Sequence, residues 1–542
     1  MKNKILSIIQ ITMCFISAVL VFTSCDSDSV TATENRLFRP IAVISTYTSE
    51  KEQAVVRIEV ENEIPDRMKY QFELFKEPID ETTQAEPYAV GVTDKNEYDF
   101  GINEYLAWET PYYARVKAIG DNVESKYYLC GYVVTDDFPT KLADIADSEI
   151  IDTQCMLKWD NGEEAYTVLD VTDNKDNILF RYDISAANGS FIIENLKPST
   201  TYKLKVYVGE MPPVPVEGEP YANMPDEAYR GKKVVITKEE QHYENPVKDL
   251  TKDETTEITT DFLNGLEDNT VIILKAGTLY QMNKLVFSKS VKFVSEYSLK
   301  GYANMTIVGS GVNNAAKVEN IEFENINLSY TESGKYMFEL STANVSIGTL
   351  KFTGCNIGGT MGFRGCIKIK GADVTIDNLI IDNCVLCGLG DNGVIGIEKV
   401  ATTTVKSIII NASTLYSSEY CVRLNTNGNI EKMSINETTF YNMPKSGKYL
   451  FDIAVSKPAT KATVTKCIFA KSQGSTANVW NGTEAPVAID NYATNDFKPR
   501  VDNSLTINIY SGSSGELFIN PEEGNFKLKD SKMKGFGAPC WW

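Results

Sequence analysis

Any chemistry in this chain has to be done almost without imidazole. The 542 residues hold one histidine, His242, in the segment EEQHYENP. Histidine-based nucleophile triads and most His-rich metal sites are therefore excluded. What remains is carboxylates, amines, guanidinium groups and aromatic rings. Hydrolysis of a glycosidic bond needs two carboxylates across a cleft, and elimination from a uronate needs a base plus a group that neutralises the sugar carboxylate. Aligning KYMFELS, GCIKIKG, VIGIEKV, YCVRLNT and YLFDIAV puts Glu339, Lys368, Ile397, Arg423 and Asp452 in one outward row, with Arg364 and Lys370 flanking Lys368. The row is either a basic spot for an acidic sugar or a charge ladder in which Glu339 and Lys368 pair across neighbouring turns, a common and weak arrangement. Tyr416, Tyr420, Tyr441 and Trp480 fall at or after turns, where rings can serve as platforms for sugars. The candidate glycan-binding residues are thus Arg364, Lys368, Lys370, Arg423, Tyr416, Tyr420 and Trp480; no catalytic residue and no metal ligand is assigned.

These residues sit inside a repeat. VENIEFENINLS, IGTLKFTGCNIGG, IDNLIIDNCVLCG, VKSIIINASTLYS, IEKMSINETTFYN and KATVTKCIFAKS share apolar anchors, and the anchors Phe323, Phe352, Ile381, Ile410, Ile435 and Val464 are separated by 29, 29, 29, 25 and 29 residues. Within a copy the anchors fall at i, i+3 and i+5, which is strand, turn, strand rather than helix. One such unit cannot bury its own apolar face and must stack on its neighbours. The middle anchors Ile326, Cys355, Cys384, Ser413, Thr438 and Cys467 should form an inward ladder. The residues before them, Asn325, Gly354, Asn383, Ala412, Glu437 and Lys466, should form tight corners with positive φ. Cys384 and Cys387 have CxxC spacing, but the repeat places Cys384 inside, which favours a buried apolar role over a metal or disulfide. The solution is a right-handed parallel β-helix. Glu324 and Asp382 fall in one outward row two coils apart, about 9 to 10 Å at the usual strand spacing, too far to share one calcium ion.

At these residues the chain resembles the pectate-lyase-like β-helix proteins. NTVIILKAGTLY (269–280) is similar to their first coil, and FINPEEGNFKL (518–528) with DSKMKGFGAP is similar to their closing segment; Cys540, Trp541 and Trp542 are candidates to cap the last coil. The resemblance covers 251–542 and implies the fold, which hosts lyases, hydrolases, adhesins and binding proteins alike. In the resembling lyases clustered acids hold calcium beside an Arg or Lys base. No cofactor is expected here; calcium would belong only to a lyase.

The rest of the chain presents this domain. Residues 1–25 read as a lipoprotein signal: Lys2 and Lys4, an apolar run from Ile5 to Phe22, then Thr-Ser-Cys, leaving Cys25 as the lipidated residue. Asp26, Ser27 and Asp28 resemble the acidic tag of Bacteroidota-type outward-facing lipoproteins, and 26–37 is a polar tether. Residues 38–138 and 139–240 resemble fibronectin type III domains, through YYARVKAIG in the first and IENLKPSTTYKLKVYV in the second, with Tyr202 at the tyrosine-corner position. Trp108 and Trp159 are core residues, 211–225 is a Pro-rich loop, and 241–250 is a linker. The expected class is all-β: two fibronectin type III-like β-sandwiches followed by a parallel β-helix. A formal charge of −20, or −22 without Lys2 and Lys4, excludes nucleic acid as a natural partner. As a whole the architecture resembles the lipoproteins of polysaccharide-utilisation systems. That implies an outer-membrane, lipid-anchored protein facing outward, capturing a plant-type, pectic or other, polysaccharide beside a transporter complex. A polysaccharide lyase or glycoside hydrolase and an adhesin are the alternatives.

Overall fold

Alternating apolar residues in Ala54–Val60 and Lys69–Phe75 have to bury one face each, and they do so between two sheets. In the computed structural model, Ala42–Thr48, Ala54–Val60 and Glu97–Phe100 form a three-stranded sheet, and Ala89–Thr93, Lys69–Phe75, Pro111–Ile119 and Tyr128–Val134 a four-stranded one. Val56, Ile58, Phe72, Leu74, Phe100 and Val116 fill the space between them. The Tyr112 hydroxyl accepts a hydrogen bond from the Ala107 amide at 2.9 Å, and Tyr202 accepts one from the Lys197 amide at 2.8 Å. Both are the tyrosine corner of a fibronectin type III-like sandwich. Trp108 and Trp159 are buried. The structure describes residues 37–542 apart from 62–67, 161, 163–164, 217, 309–310, 313–316, 331–335, 360–363, 389–392, 399–401, 426–427 and 500–504. The leader, Cys25 and nearly all of the tether therefore lie outside the described residues. Among the described residues no helix is long and apolar enough to cross a membrane.

The chain divides into two compact units. One comprises Met1–Leu142, Asp160–Ala186 and Lys203–Lys233; the other Ala143–Trp159, Ala187–Tyr202 and Val234–Trp542. The second unit is dominated by a parallel β-solenoid with sheets of ten, eleven and six strands. Its register pairs Phe323 with Phe352, Ile381, Ile410, Ile435 and Val464 in succession, the alignment that the sequence repeat predicts. The corners are as expected: Asn325, Gly354, Asn383, Ala412, Glu437 and Lys466 all have φ between 46° and 62°. Inside, Phe293, Phe323 and Phe352 stack with centroids 5.2 and 5.4 Å apart. Cys355, Cys384 and Cys467 are buried on the inner ladder. The Cys384 amide donates to Ser413 Oγ on the next coil at 3.0 Å, and burial pushes the Cys384 thiol well up. Cys387 stands on the outward row with Gly358 and Tyr416, so the CxxC pair cannot close. All nine cysteines among the described residues are free thiols.

The C-terminal segment corrects one expectation. It does not cap the last coil but folds back along the outer face of the eleven-stranded sheet. Trp541 Nε1 donates to Thr414 Oγ1 at 2.8 Å, the Ala538 amide to Thr439 Oγ1 at 3.0 Å, and the Gly537 amide to the Lys466 carbonyl at 2.8 Å. A small hairpin, Phe518–Asn520 with Asn525–Leu528, buries Phe518 and Phe526 against Tyr441, Ile468 and Ala470. Gly537, at φ 68°, lies so close that an added Cβ would meet Thr439 Oγ1 at 2.5 Å.

Removing the middle ring of the Phe293–Phe323–Phe352 stack, by Phe323→Ala, should cost about 3–5 kcal/mol of unfolding free energy through the cavity it leaves. Chemical denaturation checks this. With no disulfide among the described residues, the thermal midpoint should be the same with and without reductant.

Candidate functional site

The third, six-stranded sheet carries the predicted basic row, and its register changes the row's membership. Glu339, Lys368, Gly396, Arg423, Asp452 and Asn481 are successive neighbours. Ile397 is not among them; it pairs with Ile369 and is buried. Its own strand, Ile395–Glu398, is shifted by one residue relative to the alignment from sequence, and a one-residue shift exchanges the two faces. Gly396 leaves a gap in the row, and the Tyr420 hydroxyl and the Lys368 stem lie over it, 2.9 and 3.7 Å from where a Cβ would stand. Lys368 is consequently only 1% exposed.

The cations do converge, around Tyr336. Lys368 Nζ and Lys370 Nζ lie 5.2 and 5.9 Å from its ring centroid, and Arg364 interacts with its hydroxyl. They are not free, however. Lys368 is ion-paired with Glu398 and Lys370 with Glu339, whereas the sequence pairs Glu339 with Lys368. Arg423 lies 4.0 Å from the second Glu398 oxygen and 5.5 Å from the Tyr420 ring centroid. Burial outweighs the Glu398 carboxylate and pulls the Lys368 ammonium below the ordinary lysine value. Burial likewise pushes the Tyr420 and Tyr336 phenols up. The Tyr420 hydroxyl is buried with no hydrogen-bond partner among the described residues. Two expected platforms offer no ring to a ligand. Tyr420 is 1% exposed and Trp480 5%; Trp480 packs on Phe451 and donates to the Glu484 carbonyl at 2.9 Å. Tyr441 is covered by the C-terminal segment.

The eleven-stranded sheet holds a groove that the basic row and the turn aromatics did not indicate. Strands Ala303–Val308, Ile326–Tyr330, Asn356–Gly359, Val385–Cys387 and Thr414–Tyr416 lie side by side. Each presents two outward positions: Asn304, Asn327, Asn356 and Val385 in one row, and Thr306, Ser329, Gly358, Cys387 and Tyr416 in the other. All of these except Thr306 line an open groove of about 500 Å³. The carboxamides form a ladder: Asn356 Nδ2 donates to Asn327 Oδ1 at 2.9 Å, and Asn327 Nδ2 to Asn304 Oδ1 at 3.0 Å. A carboxamide has two N–H donors, so one per residue is left pointing out of the ladder. Gly358 has nothing within 4 Å of an added Cβ, which makes the floor flat there. Tyr416, the one expected platform that lines this groove, packs on Phe526 with centroids 5.2 Å apart. Its hydroxyl lies 2.7 Å from a Cβ built on Gly524, so the C-terminal segment walls the groove at that end. The signal was available in the sequence as Asn at the fourth position after the Phe323 anchor and after the Phe352 anchor.

Another cavity, of about 580 Å³, opens among Tyr105, Trp108, Tyr207 and Tyr229 in the first unit. Its lysines are held within it, Lys203 and Lys205 by Asp176 and Lys232 by Glu109. Among the described residues no three His, Cys, Asp or Glu side chains converge to hold a metal ion.

Glu398→Gln would leave the Lys368 ammonium buried without its carboxylate and should cost about 3–5 kcal/mol, while adding Lys368→Met should recover most of it. Urea unfolding of the two variants checks both. Because the folded-state pKa of Lys368 is lowered, the unfolded chain binds more protons between that value and 10.5. The lysine's cost to stability is therefore fully present below the lowered pKa and relieved as pH rises through it. Lys368→Met should flatten that part of the stability profile.

Comparison with known proteins places residues 433–541 against a family described as a domain of unknown function, DUF5123. No curated protein matches. Among solved structures, the FN1–FN3 domains of chicken CNTN1 are 15% identical, covering 37% of this chain and 68% of that one, with a TM-score of 0.15. A two-fibronectin type III domain segment from chicken tenascin is 10% identical, covering 36% of this chain and 99% of that one, with a TM-score of 0.18. The chain is an all-β protein of fibronectin type III-like sandwiches followed by a parallel β-solenoid.

Proposed function

We propose that the chain is a cell-surface glycan-binding lipoprotein, anchored through Cys25, that captures polysaccharide for an outer-membrane uptake system. The observation that carries this reading is the groove on the eleven-stranded sheet. It offers a row of outward carboxamide donors at the spacing of the coils, a flat floor at Gly358 and an aromatic edge at Tyr416. Few convergent polar groups on an apolar surface is what sugar recognition requires. The leader read from sequence supports the location. The basic cluster around Tyr336 supports glycan binding less well, because its carboxylates already hold Lys368 and Lys370.

In affinity gels containing pectins or neutral plant glycans, the protein should be retarded by at least one polymer. No unsaturated uronate absorbance and no new reducing ends should form. Gly358→Trp should abolish retardation, Asn327→Ala should weaken it several-fold, and Lys351→Ala, outward on a different sheet, should leave it unchanged. Rising uronate absorbance would replace this reading with that of a lyase.

A further inference from the structure

The groove's lining says more about its ligand than that it is a sugar. Of the residues that form it, Asn304, Asn327, Asn356, Ser329, Gly358, Cys387 and Tyr416 among them, none is charged. The chain as a whole carries −20. A uronate polymer would therefore meet no cation among the described lining residues and a repulsive field around it. Lys368, Lys370 and Arg423 belong to the cluster on the six-stranded sheet, where the Glu339 and Glu398 carboxylates hold them.

The groove has one closed end, and its lining starts at Asn304, where the sheet itself continues through Leu279 and Gln281. The open rows run from Asn304 to Val385, four coils spaced at about 4.8 Å. At the fifth coil the two outward positions are Thr414 and Tyr416. Thr414 is taken by the Trp541 indole at 2.8 Å and Tyr416 is backed by Phe526 and Gly524. Beyond it the face is buried under the C-terminal segment, against Tyr441, Ile468 and Ala470. A chain lying along the ladder cannot continue past Tyr416 without displacing that apolar cluster. An extended, equatorially linked saccharide advances per ring by nearly the strand spacing, so one ring would sit over each coil, with a hydroxyl facing each outward N–H.

We infer that this groove binds the terminal segment of a neutral glycan, about four rings long, with the chain end against Tyr416. The inference rests on the glycan-binding reading above and adds to it the charge class of the ligand and the mode of engagement.

The test uses the full protein and calorimetric titration with cello-, xylo- and manno-oligosaccharides of two to eight rings, and with oligogalacturonides of the same lengths. For one neutral series, affinity should rise roughly ten-fold or more from two rings to four and stay within two-fold from four to eight. Oligogalacturonides should bind at least ten-fold more weakly. Gly358→Trp should remove binding, and a circular-dichroism spectrum matching the parent's would show the variant folded, as the empty space around Gly358 predicts. Affinity that keeps climbing through eight rings would overturn end recognition. Oligogalacturonides binding best, with the same loss in Gly358→Trp, would overturn the neutral assignment. Either result would leave glycan binding in place. Failure of every saccharide to bind, or binding unchanged in Gly358→Trp, would overturn the glycan reading of this groove itself.

Discussion

One constraint organises the solenoid: from Phe323 on, the coils turn at the same place, two residues past the anchor, through a residue in the left-handed region. Asn325, Gly354, Asn383, Ala412, Glu437, Lys466 and Asp490 all do so. For residues other than glycine this conformation costs about 1–2 kcal/mol each. Two effects offset the cost. The corner amides continue the coil-to-coil bonding, Asn325 to the Thr353 carbonyl at 2.8 Å, Gly354 to Asp382 at 2.9 Å and Asn383 to Asn411 at 3.0 Å. The turn also throws the next residue inward, where Cys355, Cys384, Ser413, Thr438 and Cys467 are buried on the inner ladder. If a coil turned one residue early, its inward and outward sets would exchange, and the phenylalanine stack would lose its register with them.

With register fixed, each sheet presents ladders, and the three outer faces use them differently. On the first sheet Asp382, Asn411, Asn436 and Thr465 are linked by hydrogen bonds of 2.8, 2.9 and 2.8 Å, a polar ladder that ties successive coils together. The third sheet gathers cations and carboxylates around Tyr336, and the missing side chain of Gly396 lets Lys368 and Tyr420 sink out of solvent. The second sheet is divided. Its C-terminal half is an apolar seat for the hairpin and the terminal tryptophan, while its N-terminal half keeps its carboxamides facing outward. Charge and apolar area are thus both spent within the fold on two faces, and the neutral polar face is left open to a ligand.

The periodicity made the coils legible because stacking imposes the same demand at each turn. Even corners without a favourable residue type, Ala412, Glu437 and Lys466, could be located by position in the repeat. The second sandwich was legible from its tyrosine corner at Tyr202 and the first from the strand YYARVKAIG; the structure adds a corner at Tyr112, and both tyrosines close a local bond to an amide five residues back. The candidate site was legible only in part. Lys368, Lys370, Arg364 and Arg423 do meet, but Ile397 was placed on the wrong face because the strand around Gly396 is too short and glycine-rich to show which parity it keeps. Trp480 and Tyr420 were misjudged because a ring beside a turn can swing inward or outward without any change in sequence spacing.

By itself, then, the sequence determined the class of fold, the coil length, the corner residues and the inward ladder, since all of these are repeated and local. Tertiary structure alone decided which face remains open. That outcome depends on where the C-terminal segment lies, and Trp541 reaches Thr414 across 127 positions of chain. No local pattern encodes such a contact; it is fixed by the burial of Phe518 and Phe526 against a face that exists only once the coils have stacked.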